Sequence, residues 1–267
     1  MITGHHHHPE LIRLAMGLAI AAGGVAAFRW PRCFANVAGT FTCWAEVGSG
    51  ERERLDRVVR ARERAEGISS AYGRYLGAVA IALALLEAIP GVPYVLPYAL
   101  FCLAVSAVTL LAYLQFHRAT EQRVAPLIRR SPFTALPPLL IACIAASFVI
   151  AVLFAVDPQD RVSALVVAAS TLVLGFVAAR IAAAPALLLG EDPQYEYALD
   201  ERLRIGRTRN IVSLACAPVF LLAAIAEPGL PERFGTFGSV AMVVVVAAFL
   251  VSLTASILPM FGRLRVA

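Results

Sequence analysis

Residues 162–182 read VSALVVAASTLVLGFVAARIA, an apolar run interrupted by charge only at Arg180. A run of roughly 18 or more apolar residues is long enough to cross the ~30 Å hydrocarbon core of a bilayer as a helix. Runs of the same kind recur at 11–28, 73–89, 95–116, 134–156, 211–226 and 239–258. Two of the seven are short for that thickness, which leaves their ends soft by a few residues. Composition agrees: of 267 residues, 60% are hydrophobic and 15% charged, where globular domains hold roughly 45–50% and about 25%. Mean hydropathy is +0.76. The expectation is an all-α, polytopic transmembrane helical bundle of about seven spans, forming a single integral membrane domain over 1–267.

All 23 basic side chains are arginines. Cytoplasmic loops retain Arg and Lys, so the placement of positive charge reports orientation. Residues 29–75 hold nine arginines, 117–133 four, 190–210 four, and the tail after Pro259 two. The intervening gaps are poor: 90–97 has none, 157–161 only Arg161, and 227–238 only Arg233. Every second gap is rich, which implies an N-terminus outside, with 1–10 as an outer tail, and a cytoplasmic C-terminus. Arg13, at the outer end of the first span, runs against this pattern. The outer turns carry Pro90 and Pro93, Pro158, and Pro228 and Pro231. Proline has no backbone donor and its preceding residue avoids the helix, so these positions punctuate hairpins. The chain reads as one lone helix plus three hairpins.

The Gly/Ala-rich run 11–28 is read as an uncleaved span rather than a signal peptide, because cleavage would leave the nine-arginine gap outside. Residues 33–48 carry Asn36, Thr40, Thr42 and Glu46, and read as an interfacial segment anchored by Trp30 and Trp44 rather than as a re-entrant span. The turns AIPGVP (88–93) and AEPGLP (226–231) echo one another, but over too few residues to establish a repeat. Gly73 and Gly77, four apart, permit close approach of another helix.

Two cytoplasmic segments, 49–72 and 191–210, have helical patterns. In 51–66 (ERERLDRVVRARERAE), Leu55, Val58 and Val59 share one face. Glu53–Arg57, Asp56–Arg60 and Arg62–Glu66 are pairs at i, i+4, each contributing about 0.2–0.5 kcal/mol. This describes a solvated helix leading into the second span. In the other segment, Asp192 suits an N-cap and Pro193 the first helical position. Acids then come early and Arg202, Arg204, Arg207 and Arg209 late, as the helix dipole prefers. Tyr195 and Tyr197 are expected at headgroup level.

The apolar runs are nearly free of ionisable groups, which usually mark ion or proton pathways. Glu87 lies within a turn of Pro90, near the outer interface. Arg180 lies about 27 Å along its helix, near the inner one. Snorkelling accounts for both. Ser106, Thr109, Tyr113 and His117 fall at helical spacing on one face of the third span. Interhelical hydrogen bonding is the plain reading of that stripe, and a polar pathway the sharper one.

Cys102, Cys143 and Cys216 lie singly in spans and read as core residues, while Cys33 and Cys43 match no zinc spacing. His5 to His8 read as a terminal tail, so no metal site and no cofactor is called for. Net charge is +5, and arginine facing anionic headgroups explains it without nucleic acid. The absence of lysine removes a retinal Schiff base, a phosphate-loop lysine and a pyridoxal attachment.

The expected role is a non-enzymatic, permease-like or accessory component of the cell (inner) membrane, in contact with the lipid bilayer and docking a cytoplasmic or membrane protein partner. One alternative is a transporter or channel for a neutral or lipid-like solute along the Ser106–His117 stripe. Another is an enzyme acting on anionic lipid near His117, Arg118, Arg129 and Arg130. The sidedness has a direct test: reporter fusions at Gly50, Val92 and Gly235 should report cytoplasm, outside and outside. An external Gly50 would overturn the map.

Overall fold

A computed structural model of the chain describes residues 17–18, 21–26, 29, 45–46, 49–65, 69–87, 95–120, 131–156, 161–186, 192–226, 236–258 and 262–263. After the two-residue strand β1 (Ala45–Glu46) come helices α1 (Ser49–Ala65), α2 (Ser69–Glu87) and α3 (Val95–Thr120). The short α4 (Pro132–Ala135) precedes α5 (Pro138–Phe154) and α6 (Arg161–Ala182). Helices α7 (Pro193–Ala226) and α8 (Thr236–Ile257) follow, and β2 (Gly262–Arg263) pairs in parallel with β1. Apart from that pairing, the described elements are helical.

Three helices, α6, α7 and α8, are long and apolar enough to cross a membrane. Arg74–Leu86, Val95–Ala107 and Pro138–Phe154 are shorter apolar helices. Each of the expected runs from 73–89 onward therefore coincides with a helix. Of 11–28, only residues 17–18 and 21–26 are described, all helical.

Two boundaries differ from the sequence reading. The run 134–156 is not one helix from its start: α4 ends at Ala135, and α5 begins at Pro138 after the extended Pro137. Two successive prolines remove two backbone donors, so a helix can start there but not pass through. The charged segment 193–210 and the apolar run 211–226 form one uninterrupted helix of 34 residues. At about 1.5 Å per residue that is ~51 Å, well beyond a ~30 Å hydrocarbon core.

Helix α7 is the central column, packing against α6, α8, α5 and α3. Two layers of core stack along it. One joins Leu140, Leu174, Ile181, Ile211, Val212 and Ala248. The other joins Val95, Phe154, Val167, Val219, Leu222 and Val245. Phe220 and Phe249 stack with centroids 4.9 Å apart. Between α6 and α7, the Thr171 hydroxyl reaches the Ala215 carbonyl at 3.2 Å.

The outward faces are apolar as well. Leu165, Leu172 and Phe176 on α6, Val240, Val243 and Leu250 on α8, and Leu139 and Val149 on α5 are all exposed. A helix that is apolar all round belongs in a protein core or in hydrocarbon. Water would penalise so continuous a surface.

Helical residues 21–26 lie against α2. A Cβ placed on Gly24 would stand 2.9 Å from both the Gly77 carbonyl oxygen and the Ala80 Cβ. At Gly23 it would meet nothing within 4 Å. The close approach allowed by the small residues of α2 is thus realised at Gly77. Gly24→Val should destabilise the protein by about 1–3 kcal/mol, and Gly23→Val by no more than about 0.5 kcal/mol. Thermal unfolding in mild detergent separates the two, and coincident midpoints would refute the contact.

Candidate functional site

The segments expected to flank the apolar bundle form one structure. Arg54 pairs with Asp192 at 3.7 Å and Arg62 with Asp200 at 2.8 Å. Both partners advance by the same interval along the chain, so α1 and the start of α7 run parallel. Leu55, Val58 and Val59 meet Tyr195, Ala198, Leu199 and Leu203 in an apolar seam separate from the bundle's two layers. The 3-and-4 spacing on both helices is that of a coiled-coil seam. Pro193–Leu203 carries this two-helix stalk roughly 16 Å along the axis of α7.

Its start follows from local chemistry. The Asp192 amide donates to Glu196 Oε1 at 3.3 Å, and the Glu196 amide to the Asp192 carbonyl at 2.9 Å. Proline at the first position needs no partner. Tyr195 is buried in the seam with the Arg54 guanidinium 6.0 Å from its ring centre. Burial, and secondarily the Glu51 carboxylate, raise its phenol above the ordinary value. Tyr195 is therefore a seam residue and not a headgroup anchor.

The expected picture of α1 as a solvated helix holds for its outer face only, where Glu53, Arg57 and Arg60 are exposed. Asp56 pairs with Arg52 at 3.4 Å, and Arg60 donates to the Asp56 carbonyl. Arg62, which the sequence pairs with Glu66, reaches across to Asp200; Glu66 lies outside the described residues. The side chains of this pair are 3% and 6% exposed, so the two charges are withdrawn from water together. Burial also lowers the Arg202 guanidinium from its usual value.

At the junction of stalk and bundle, arginines close helix ends. Arg204 grips Glu201 through two nitrogens, at 3.0 and 2.5 Å, and donates to the carbonyls of Ala182 and Ser131. Ala182 ends α6, and the last carbonyls of a helix have no partner of their own. Arg209 donates to Ala255 near the end of α8, at 3.5 Å, and to Thr134 in α4, at 3.4 Å. Arg62 from the first arginine-rich stretch and Arg204 from the third thus meet Asp200 and the Ser131 carbonyl on the stalk side of the bundle, and β2 in the tail pairs with β1.

Of the stripe on the third span, Ser106 is buried and donates to the Cys102 carbonyl one turn back, at 2.9 Å. That is a bond within its own helix. Thr109, Tyr113 and His117 lie on α3, and their side chains are outside the described residues, as are those of Glu87 and Arg118. Arg129, Arg130, Cys33, Cys43 and His5 to His8 are likewise outside them. Arg180 is exposed in the last turn of α6. Cys102, Cys143 and Cys216 are buried free thiols. Among the described residues, no cluster of three or more metal-ligating side chains converges.

The stalk pair and the helix-end arginines escaped sequence reading. One signal was present: Arg62 shares the apolar face of Leu55, Val58 and Val59, an unusual place for a charge without a partner. The chain matches no protein-family model, no curated protein and no solved structure.

Removing one member of a buried ion pair strands the other, at a cost of about 3–5 kcal/mol. Asp200→Leu should lower stability by that amount. Arg62→Met combined with Asp200→Leu should recover most of it, since apolar replacement of a whole buried pair is often neutral. Unfolding midpoints of the two variants in detergent check this, and an Asp200→Leu protein as stable as wild type would contradict it.

Proposed function

We propose that the chain is a multi-pass protein of the cell inner membrane, with seven spans and the stalk in the cytoplasm. We read it as a non-enzymatic, permease-like or accessory membrane component whose stalk docks a cytoplasmic partner. The observation that carries this reading is the length and construction of α7. A helix serving only to span needs about 20 residues, and α7 has 34. Its charged half is organised with α1 around a seam of its own and is tied to the end of the bundle by Arg204. Arg62, Arg204 and Arg209 on the stalk and at its junction support the orientation, because arginine-rich segments favour the cytoplasmic side. The apolar outward faces of α5, α6 and α8 support contact with lipid.

Docking would use the outer ridge of α1, where Glu53, Arg57 and Arg60 stand exposed a helical turn apart. Exposed charge on a rigid helix steers association and sets partner choice more than it adds raw affinity. The test is purification in mild detergent with mass spectrometry of co-eluting protein. Wild type should carry a stoichiometric soluble subunit, and Arg57→Gln with Arg60→Gln should lose it at a stability cost of no more than about 1 kcal/mol, the worth of two i, i+4 pairs. A clean single species from wild type would count against the reading.

A further inference from the structure

Arg52, Arg54, Arg62 and Arg204 each face a carboxylate, at 3.4, 3.7, 2.8 and 2.5 Å respectively. Arg209 differs. Its described contacts are two carbonyl oxygens at 3.4 and 3.5 Å, near the limit of a hydrogen bond. Its Nε is buried and has no partner among the described residues. A guanidinium offers five donors and a fixed positive charge. Here that charge is half-withdrawn from water, and among the described residues no acid pairs with it and one donor is unused.

The surroundings point to the kind of anion that fits. Arg209 lies just before Ile211, where the apolar half of α7 begins, and its carbonyl partners sit in α4 and near the end of α8. This is the level at which the apolar helices stop, where a bilayer would place headgroup phosphates. Beside it, Phe133 and Leu139 flank Thr134, and Leu253, Ile257 and Leu258 flank Ala255, all of them exposed. The Thr134 side chain is exposed between the first two. A positive fork at the headgroup level with apolar side chains leading away from it matches a phosphate joined to acyl chains.

We infer that Arg209 and its apolar flanks form a binding site for an anionic phospholipid, with the headgroup phosphate on the Arg209 guanidinium and an acyl chain against the exposed ends of α5 and α8. The planar fork suits phosphate oxygens, and such charge-assisted bonds are about twice as strong as neutral ones. The site rests on the membrane reading but not on the docked partner, so each can fail alone. In the full chain, a lipid here would tie α4, α7 and α8 together at the junction that supports the stalk.

The test uses the purified full chain in detergent, titrated with phosphatidylglycerol, phosphatidylcholine or inorganic phosphate. Retained lipid is read by native mass spectrometry and stability by thermal midpoint. Phosphatidylglycerol should be retained in preference to phosphatidylcholine and should raise the midpoint. Arg209→Gln should weaken that retention about tenfold, the scale of one charge-assisted hydrogen bond. Arg209→Lys should lose less, and Arg161→Gln, at the opposite end of α6, should lose nothing. Wild-type indifference between the two lipids would overturn the inference whether or not the Arg209 variants fold. Equal stabilisation by inorganic phosphate would assign the site to a soluble anion instead and equally overturn it. An effect of Arg161→Gln as large as that of Arg209→Gln would reduce the preference to bulk surface charge.

Discussion

A single helix carries α7 from a charged segment into an apolar one without a break, and the rest of the molecule answers the demands this makes. In its apolar half the helix satisfies most of its backbone internally, the condition for crossing hydrocarbon; Pro218 is the exception, its missing N–H leaving the carbonyl four residues back without a helical donor. In its charged half, Glu196, Asp200, Arg202 and Arg204 are buried. Buried charges need partners, so α1 supplies Arg62 and the bundle end supplies the carbonyls of Ala182 and Ser131. Arg204 sits at the changeover, and its contacts fix where the stalk begins. Were the helix broken at residue 210, as a spanning segment with a separate surface helix would allow, neither set of contacts would be held in register with the other.

Within the bundle the polar groups are few and mostly satisfied locally. Ser106, Ser170 and Thr171 donate to carbonyls three or four residues back on their own helices, and Thr171 also reaches Ala215 on α7. Lipid gives helices no hydrophobic reason to associate, so close packing through small residues has to hold them. The buried faces here are accordingly rich in alanine, with Ala164, Ala168 and Ala178 on α6 and Ala215 and Ala223 on α7. Gly24 is the tightest of the described glycines, pressed against the Gly77 carbonyl and the Ala80 methyl where a Cβ would not fit.

What the sequence made legible were features governed by neighbours along the chain. The apolar runs became helices because length and composition settle that. Asp192, Pro193 and Glu196 start α7 because capping is a local matter. Leu55, Val58 and Val59 share a face because helical period dictates it. What stayed hidden depends on which surfaces meet. Arg62 had an acceptable i, i+4 companion in Glu66 despite its place on the apolar face, Asp200 belonged to a run of charges, and only the parallel alignment of α1 with α7 brings them together. Spacing places Ser106 on a helix face but does not say whether its hydroxyl turns to a neighbour or back to its own turn, and here it bonds the Cys102 carbonyl. The break at Pro137 was readable in principle, since two prolines in succession mark a helix start, yet the apolar character of the run concealed it.

The exclusive use of arginine acquires a structural meaning at two positions. Arg204 engages both oxygens of Glu201 while donating to two further carbonyls, which needs several donors in fixed relative directions. A lysine ammonium is a compact, strongly hydrated point charge, and it cannot hold a carboxylate in a two-point grip while capping a helix on its far side. At Arg209 the same fork bridges two helix ends and has a nitrogen to spare. Elsewhere on the stalk, as at exposed Arg57, no such geometry is demanded and either residue would serve. The described arginines therefore divide by depth: some, such as Arg57, stand in the open, and those drawn into the junction hold the charged half of α7 to the apolar one.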